Sequence, residues 1–476
     1  MLSTFSALSV LEGIYSRPGH QRSRIENKKK LEIVEGFVLQ KILSQSYRIF
    51  VGAIAQGVAK LIFSKERLEF TLSSSLSHHG LSQGVRSRKR RKLWFHAASV
   101  GELESLWTLV MMAADQGNAL IVTVLSESAR LSIQNLNRIL QEKKAEVIFV
   151  GYSPLEGSWR SVLSQIQPDL FITAKYEAWP ELWMSLAELR IPLVMVSVQM
   201  RRSLRLAQRI CHGFYGMLPR MYLFVSQEKD RYPIQKFFQK AVVQWLGEPR
   251  WDRVNQRRTQ GSRQAKELIQ LLESRLDRPW GVIGSAWLGD LKAFGVGSPL
   301  TQGSLWIVPH RVDADSIQEL THYLEKEWHF PFILRTSDRA GLMQRLEQGL
   351  DLKNSGCLIL VDEMGFLSEL YSFCDWAFVG GGFGAGVHST IEPAICGIPV
   401  ACGPQGVDKF SEIDELQKTH QLEVLAGSEE VRHWLLRMKT GVERLELKRQ
   451  WMKEAEGRLG ATQKIWDALE KINSSC

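Results

Sequence analysis

The stretch "WAFVGGGFGAGVHSTIEPAICGIPVACGP", residues 376–404, decides how the fold of this chain is interpreted. An apolar run enters three glycines, "STIEPAIC" indicates the start of a helix, and the apolar run "IPVACGP" follows. The order strand, glycine turn, helix and strand is typical of a βαβ unit in a parallel sheet. Ligands of such sheets bind outside the carboxyl ends of the strands, so the glycine loop is a candidate binding site.

The same alternation extends over the chain from about residue 93. Apolar runs such as "KLWFHAA", "ALIVTVLS" and "PDLFITA" alternate with helical stretches, and "WGVIGSAW", "SLWIVPH" and "GCLILVDE" repeat the pattern in the second half. "GEPRWDRVNQRR", 247–258, interrupts the pattern with Gly, Pro and charge, and is interpreted as the inter-domain linker. The sequence predicts an α/β fold of two doubly wound domains that face each other across a cleft.

Composition and charge narrow the class of protein. The 476 residues are 44% hydrophobic and 23% charged, with a net charge of +9, which suggests an anionic partner such as nucleic acid, phospholipid or phosphorylated sugar. The six cysteines form no CxxC pair, so neither a zinc site nor a disulfide scaffold is predicted and a reducing compartment is expected.

The N-terminal region favours a membrane surface over nucleic acid. No secretory signal is recognisable, and the apolar stretch 49–63 is shorter than a spanning helix and contains Lys60. The run "RSRKRRK", 86–92, carries six positive charges, which suits an interfacial helix held to anionic lipid. A buried helix beside a solvated loop is the alternative, whereas a nucleic-acid arm lacks an aromatic platform.

Two candidate sites follow strands of the first half. In "FHAASVGELESL", 95–106, Ser99 and Gly101 would let backbone amides approach a ligand, and Glu102 lies where a general base would be placed. An acid in the first turn of a helix is also common for electrostatic reasons alone. Glu177, after the strand "DLFIT", either orients a sugar hydroxyl or caps a helix.

Two further candidates lie in the second half. His310 and Arg311 follow a strand and could neutralise a phosphate or carboxylate. Ser389 and Glu392 have the spacing of a capping box, so Glu392 either bonds its own helix or accepts ribose hydroxyls while helix-start amides hold phosphate. No P-loop motif is present, and the glycines lie too late in the chain for a Rossmann dehydrogenase.

Together these motifs resemble the 3-deoxy-D-manno-oct-2-ulosonic acid (Kdo) transferases of Gram-negative lipopolysaccharide biosynthesis, from roughly residue 45 to 470. "HAASVGE" matches the family's "HAVSVGE", "TAKYEAWPEL" is similar to "ETELWPN", and "GEPRWD" stands for "GNLKFD". "QMRRSLRL" looks like "NARLSERS", "VDEMGFLSELYSFCDWAFVGGGF" follows the family's "MGEL" and "FVGG" segment, and "HSTIEPAICGIPVACGP" matches "HNPLEPAAFGKPVLxGP". These motifs occur along the chain in the family's order.

The resemblance implies a GT-B glycosyltransferase fold and an inverting, metal-independent transfer of Kdo from CMP-Kdo to a lipid A precursor, without a cofactor. It also implies a location at the cytoplasmic face of the inner membrane, with residues 1–80 as a basic, membrane-associated segment, 81–250 as an acceptor domain and 251–476 as a CMP-sugar domain. Glu102 would be the catalytic base, with Ser99, Gly101 and Glu177 on the acceptor side. The donor side would consist of Ser285, His310, Arg311, Met364, Gly365, Gly380, Gly381, His388, Ser389 and Glu392.

The chain also departs from the family pattern around the donor pocket. "PRH" is "PHR", "THxGEE" is "AWLGDL", the asparagine of "HNxxEP" is Ser389, and the first acid of "ETE" is Lys175 or Tyr176. These changes leave three alternatives: altered affinity for CMP-Kdo, a GT-B enzyme that uses another nucleotide sugar, or a catalytically silent lipid A-binding homologue.

Overall fold

A computed structural model describes most of the chain beyond residue 89. The described ranges are 90–155, 157–175, 179–200, 204–205, 218–295, 303–328, 333–347, 357–438 and 444–473. The predicted membrane-associated helix at 49–63 and the candidate Glu177 therefore lie outside the described residues. Within these ranges, no helix is long and apolar enough to cross a bilayer.

The strands of the described residues form two seven-stranded sheets, and every pairing within them is parallel. The first sheet, with its helices called the first lobe, has the order β3-β2-β1-β4-β5-β6-β7. Its strands are β1 (Lys92–Ala97), β2 (Ala119–Val124), β3 (Val147–Tyr152), β4 (Leu170–Ala174), β5 (Leu193–Val198), β6 (Met221–Val225) and β7 (Val242–Trp245).

The second lobe is built on a sheet with the order β10-β11-β9-β8-β12-β13-β14. Its strands are β8 (Trp280–Ala286), β9 (Ser304–Pro309), β10 (Leu334–Arg335), β11 (Cys357–Leu360), β12 (Trp376–Val379), β13 (Val400–Cys402) and β14 (Leu422–Val424). The prediction of an α/β fold with two doubly wound parallel sheets is confirmed.

Helices of the described residues are numbered in chain order. In the first lobe they are α1 (Val100–Asp115), α2 (Arg130–Glu142), α3 (Trp159–Ile166), α4 (Pro180–Glu188) and α5 (Glu228–Phe237). Between the sheets come α6 (Pro249–Gln260) and α7 (Arg263–Glu273). After β8 follow α8 (Leu288–Ala293), α9 (Ala314–Glu327), α10 (Arg339–Glu347), α11 (Leu367–Phe373), α12 (Ile391–Ala394), α13 (Ser411–Lys418), α14 (Ser428–Met438), α15 (Arg444–Gly457) and α16 (Ala461–Asn473).

Each sheet reverses its strand order at one place, and several of the candidate residues follow the strands that meet there. In the first sheet β1 is adjacent to β4, and in the second β8 is adjacent to β12. At such a switch point the connections leave in opposite directions, which opens a crevice at the carboxyl ends of the two strands. Ser99 and Glu102 follow β1, while Ser285 at the end of β8 and Gly380 after β12 lie at the second crevice.

The sheets are covered on both faces, which explains why their strands are apolar along their whole length. Apolar clusters lie on the two faces of the first sheet and on the two faces of the second. Four residues of α16 belong to a cluster of the first lobe, although α16 follows the second sheet in sequence. They are Ile465, Trp466, Leu469 and Ile472.

Three details differ from the pattern in the sequence. The strands β7 and β14 are absent from the predicted runs; β7 has three exposed residues and β14 has only three residues. Residues 247–258, interpreted as a linker, are largely helical because Pro249 occupies the first helical position of α6, where proline needs no amide partner.

Candidate active site

The crevice of the first lobe begins at the turn between β1 and α1. Ser99 caps α1, and its amide and hydroxyl donate to one carboxylate oxygen of Glu102, Oε2, at 2.9 and 3.1 Å. The carboxylate is thereby oriented at the helix start, and the residue is 7% exposed. A Cβ added to Gly101 would meet nothing within 4 Å, so the turn leaves room on its outer side. Glu102 is thus both a helix cap and an oriented acid at the crevice.

The glycine loop of the second lobe is held by Asp290 of α8. This buried carboxylate accepts hydrogen bonds from the amides of Trp287 at 3.0 Å, Gly381 at 2.7 Å and Phe383 at 3.3 Å. Burial raises the pKa of Asp290, and the three amide donors oppose that effect. A side chain at Gly380 would clash with the Ser285 carbonyl and lie 2.8 Å from Asp290 Oδ2, which explains the glycine.

Three aromatic rings form a stack beside this loop. The ring of His310 lies 4.7 Å from Trp287 and 4.4 Å from His388, measured between centroids, with interplanar angles of 21° and 16°. The Trp287 indole N–H donates to His388 Nε2 at 3.3 Å, so that nitrogen must be unprotonated. Arg311 lies over the Trp287 ring at 5.6 Å. The stack thus brings together His310, Arg311 and His388, all predicted donor-side residues.

Both histidines of the stack favour the neutral form. Burial, with a smaller effect of His310, lowers the pKa of His388 to about 4. Burial and the neighbouring Arg311 lower the pKa of His310. Near neutral pH the stack is therefore uncharged apart from Arg311.

Glu392 and Ser389 do not form the capping box that their spacing suggests. The helix α12 starts after Thr390, whose side chain makes no capping hydrogen bond. Glu392 instead lies 3.5 Å from Arg257, and Ser389 Oγ accepts from Arg250 at 3.0 Å. Burial raises the pKa of Glu392, while Arg257 lowers it. The geometry therefore leaves Glu392 facing arginines of α6.

The helix α6 connects the two crevices through its arginines. Arg253 and Arg257 lie 3.0 and 3.9 Å from Glu104 of α1, and Arg257 also contacts Glu392. The chain Glu104–Arg257–Glu392 therefore spans from the first lobe to the second. Further inter-lobe contacts join Gln227 to the Ser411 carbonyl at 2.5 Å and Lys229 to Asp414 at 2.8 Å.

Arg250 is a buried cation between the lobes. It pairs with Glu412 at 3.3 Å, both side chains being less than a tenth exposed, and it stacks over Phe410 at 5.6 Å. Lys175, at the end of β4, lies 5.9 Å from the same ring. Both basic side chains thus lie beside the Phe410 ring, and Arg250 also reaches Ser389.

Met364 and Gly365 lie in the loop after β11, at the strand end next to β9. Met364 is 79% exposed, and Gly365 has a φ of +89°. The described contacts of this loop run to the segment after β10: Asp362 accepts from the Ser337 amide at 2.9 Å, and Arg339 lies 3.0 Å from Glu363 and stacks over Phe366. Met364 and Gly365 thus lie at the carboxyl edge of the second sheet, and none of their described contacts reaches the aromatic stack.

The sequence patterns did not predict Trp287, Arg250 and Arg257 as site residues. A tryptophan that follows a strand is typical of a core residue. The two arginines lie in a segment that the sequence indicated to be a linker. The pattern that could have identified the arginines is their spacing at 250, 253 and 257, which places three basic side chains on one face of a helix. Among the described residues, no group of three or more His, Cys, Asp or Glu side chains is placed to hold a metal ion.

Comparison with known proteins agrees with the motifs. Residues 65–253 match the family described as 3-deoxy-D-manno-octulosonic-acid transferase (kdotransferase). A protein of Chlamydia muridarum named 3-deoxy-D-manno-octulosonic acid transferase is 26% identical over 348 residues, which are 71% of this chain and 75% of that protein. One of the same name from Chlamydophila psittaci is 26% identical over 65% of this chain and 69% of its own length.

Among solved structures, Glycyrrhiza uralensis UGT73P12 in complex with glycyrrhetinic acid 3-O-monoglucuronide superposes with a TM-score of 0.50. It is 10% identical and covers 81% of this chain and 96% of its own. This likeness concerns the fold alone, which is the predicted GT-B fold. The sequence matches confirm the resemblance to the Kdo transferase family and support a glycosyltransferase enzyme.

Proposed function

Since this chain resembles the Kdo transferase family, we propose that it transfers Kdo from CMP-Kdo to a lipid A precursor, with inversion and without a metal ion. One observation supports the proposal: Arg257 contacts both Glu104 of α1, the helix that carries the predicted base Glu102, and Glu392 of α12, the predicted ribose ligand, so the two helices adjoin one inter-lobe cleft. A transferase needs its base and its donor site within one such cleft, because the acceptor oxygen must reach the sugar carbon.

In the proposed reaction, Glu102 takes the proton of the acceptor hydroxyl. The acceptor oxygen forms a bond to the anomeric carbon of Kdo while the bond from that carbon to the phosphate oxygen breaks, and its electron pair leaves with CMP. A single displacement of this kind inverts the anomeric configuration. The hydrogen bonds from Ser99 keep one carboxylate oxygen oriented and so fix the direction of proton transfer.

The donor would be held by the second lobe. Glu392 would accept the ribose hydroxyls, and its contact with Arg257 at 3.5 Å is long enough to yield to a shorter hydrogen bond from the ligand. Arg311, beside the aromatic stack, would stabilise the charge that develops on the departing phosphate. The helix α12 has four residues, so its dipole is small and cationic side chains must supply most of this stabilisation.

The acceptor is a lipid, and we propose that the basic N-terminal segment holds the protein at the cytoplasmic face of the inner membrane. The support comes from the sequence: the apolar stretch 49–63 and the basic run 86–92 suit an anionic lipid surface. Vesicle flotation tests this point, since the protein should bind anionic and not neutral vesicles.

The direct test incubates the pure protein with CMP-Kdo and a tetraacylated lipid A precursor and follows both CMP release and product mass. We expect CMP release together with a product heavier by one or more Kdo units, unchanged by EDTA. Transfer from a UDP- or GDP-sugar in place of CMP-Kdo would instead indicate another GT-B enzyme, and no transfer from any donor would indicate a silent homologue.

Glu102→Gln is the first variant to measure. Glutamine preserves the capping box with Ser99, so helix α1 should stay intact while the base is lost. We expect turnover to fall about 10²- to 10⁴-fold with CMP binding retained. Glu142→Gln, at an exposed position of α2, is the matched control for losing one carboxylate. Normal turnover in Glu102→Gln would rule out Glu102 as the base.

A further inference from the structure

Lys175 occupies a special place in the backbone of the first lobe. It follows β4 directly, and β4 pairs with β1 so that His96 lies opposite Thr173. The residues after these two strands therefore meet at the switch point, which puts Lys175 beside the turn that carries Ser99 and Glu102. Its φ of +59° lies in the left-handed region, and its amide donates to the Val196 carbonyl at 2.7 Å. A non-glycine residue in that region is uncommon, and it is held here by the surrounding sheet.

The side chain of Lys175 points between the lobes. Its Nζ lies 5.9 Å from the centroid of Phe410, and the guanidinium of Arg250 lies 5.6 Å from the same centroid. The acids of this region are engaged by Arg250: Glu412 pairs with its guanidinium and Glu248 accepts from its amide, both at 3.3 Å. Among the described residues, Nζ makes no hydrogen bond and no ion pair, so its three N–H donors are available.

The electrostatic surroundings of Lys175 are those of a cation that lacks a direct partner. Burial lowers its pKa, Arg250 lowers it further, and Glu248, Glu412 and Glu102 raise it. Withdrawing an ammonium from water, even in part, is costly unless an anion neutralises it at close range. A bound oxyanion would supply that neutralisation and would also screen the repulsion between Lys175 and Arg250.

We propose that Lys175 Nζ binds an oxyanion of a substrate, a carboxylate or a phosphate, in the cleft beside Glu102. The inference rests on the proposed function, in which both substrates are anions: the transferred sugar carries a carboxylate and the lipid acceptor carries phosphates. The family resemblance does not imply this subsite, because the aligned motif "ETE" has an acid where this chain has Lys175 or Tyr176. An ammonium at this position is a feature of the present chain.

Steady-state kinetics of Lys175→Met test the subsite and identify the oxyanion. Loss of one charge-assisted hydrogen bond should raise one KM about 10- to 100-fold. The KM for CMP-Kdo will rise if Lys175 binds the sugar carboxylate or the donor phosphate, and the KM for the lipid will rise if it binds an acceptor phosphate. In the second case a dephosphorylated lipid should give the same KM with wild type and variant. Lys175→Arg should retain most of the affinity, because it keeps the positive charge.

A stability measurement separates binding from a structural role. Removing an unpaired half-buried cation should leave the melting temperature of Lys175→Met unchanged or higher. Lys143→Met removes an exposed cation of the first lobe and should change neither KM. If Lys175→Met fails to fold, Lys175→Gln, which keeps a polar end group, gives the same kinetic comparison.

The outcomes distinguish this subsite from the proposed function. If wild type transfers Kdo and the Met and Gln variants keep both KM values, the subsite is wrong and the proposed function stands. If wild type transfers no sugar, the proposed function fails, and inorganic phosphate then tests the subsite alone. In that case phosphate should raise the melting temperature of wild type more than that of Lys175→Met, and equal shifts would refute the subsite.

Discussion

His388 shows how a single side chain can report on the state of the donor pocket. Its Nε2 accepts the indole N–H of Trp287, and one ring face is covered by His310. Protonation of Nε2 would break that hydrogen bond and place a charge against His310, with Arg311 close by. The pocket is therefore built for a neutral imidazole, and acid should loosen the stack.

Replacing His388 should weaken the pH dependence of stability. The pKa of His388 is about 4 in the folded chain and 6.5 in the unfolded chain, so the unfolded state takes up the proton first as pH falls. The free energy of unfolding should therefore decrease from pH 6.5 towards pH 4 and level off below. Thermal melts of His388→Gln, which keeps an acceptor for Trp287, should show a smaller decrease in this window.

His433→Gln is the control for this measurement, because His433 is exposed on α14. It should follow the wild-type profile. Parallel profiles for wild type and His388→Gln would contradict the assigned pKa of His388.

The residues of the site were predictable where the end of a strand marked them. Ser99, Glu102 and Gly380 follow strands, and their place at the crevices could be read from that order. Trp287 could not, because a stack of three rings from separate loops depends on side-chain contacts that no local pattern encodes. The position of Lys175 beside an arginine and a phenylalanine of other segments is of the same kind.

Among the elements, helix α6 contacts both lobes. It packs against α1, while Trp251 and Val254 belong to the apolar core of the second lobe. Residues 247–258 were interpreted from the sequence as a linker. Within the described residues, the arginines are the only part of this segment that contacts both crevices. The sequence showed the Pro, Gly and charge of this segment but not that the charges point inwards.

Breaking the ion pair Arg250–Glu412 should destabilise the contact between α6 and α13. Arg250→Met leaves the carboxylate of Glu412 buried without its guanidinium, at a cost of about 3–5 kcal/mol. The double variant Arg250→Met, Glu412→Met removes both charges and should recover much of that loss. Urea unfolding of the single and double variants measures the difference, and equal stability of the two would show that the pair is not coupled.

In the whole molecule, α16 returns from the second lobe to the first. Asp252 of α6 accepts hydrogen bonds from the amides of Gly460 and Thr462 at 2.7 Å each and so holds the start of this helix. Thr108 of α1 and Thr462 are hydrogen bonded at 2.8 Å. The two lobes were predictable from the alternation of strands and helices, but the return of α16 was not, since an amphipathic helix does not reveal which sheet it covers.

Trp466→Ala should destabilise the first lobe although it lies beyond the second in sequence. Trp466 is 3% exposed in the core of the first lobe, and truncating a buried tryptophan costs about 3–5 kcal/mol. Hydrogen exchange should show the loss in β1 and β2 before β8 and β9. Lys464→Ala, at an exposed position of α16, should change stability by less than about 0.5 kcal/mol.

The return of α16 also bears on how the protein is made. The ribosome completes the first sheet with β7 and must add about 200 further residues before α16 is made. At about 5–20 residues per second, this takes on the order of ten to forty seconds. During that interval the nascent first lobe exposes the apolar surface that Ile465, Trp466, Leu469 and Ile472 later cover. Chaperones that hold nascent chains therefore have a defined surface to protect.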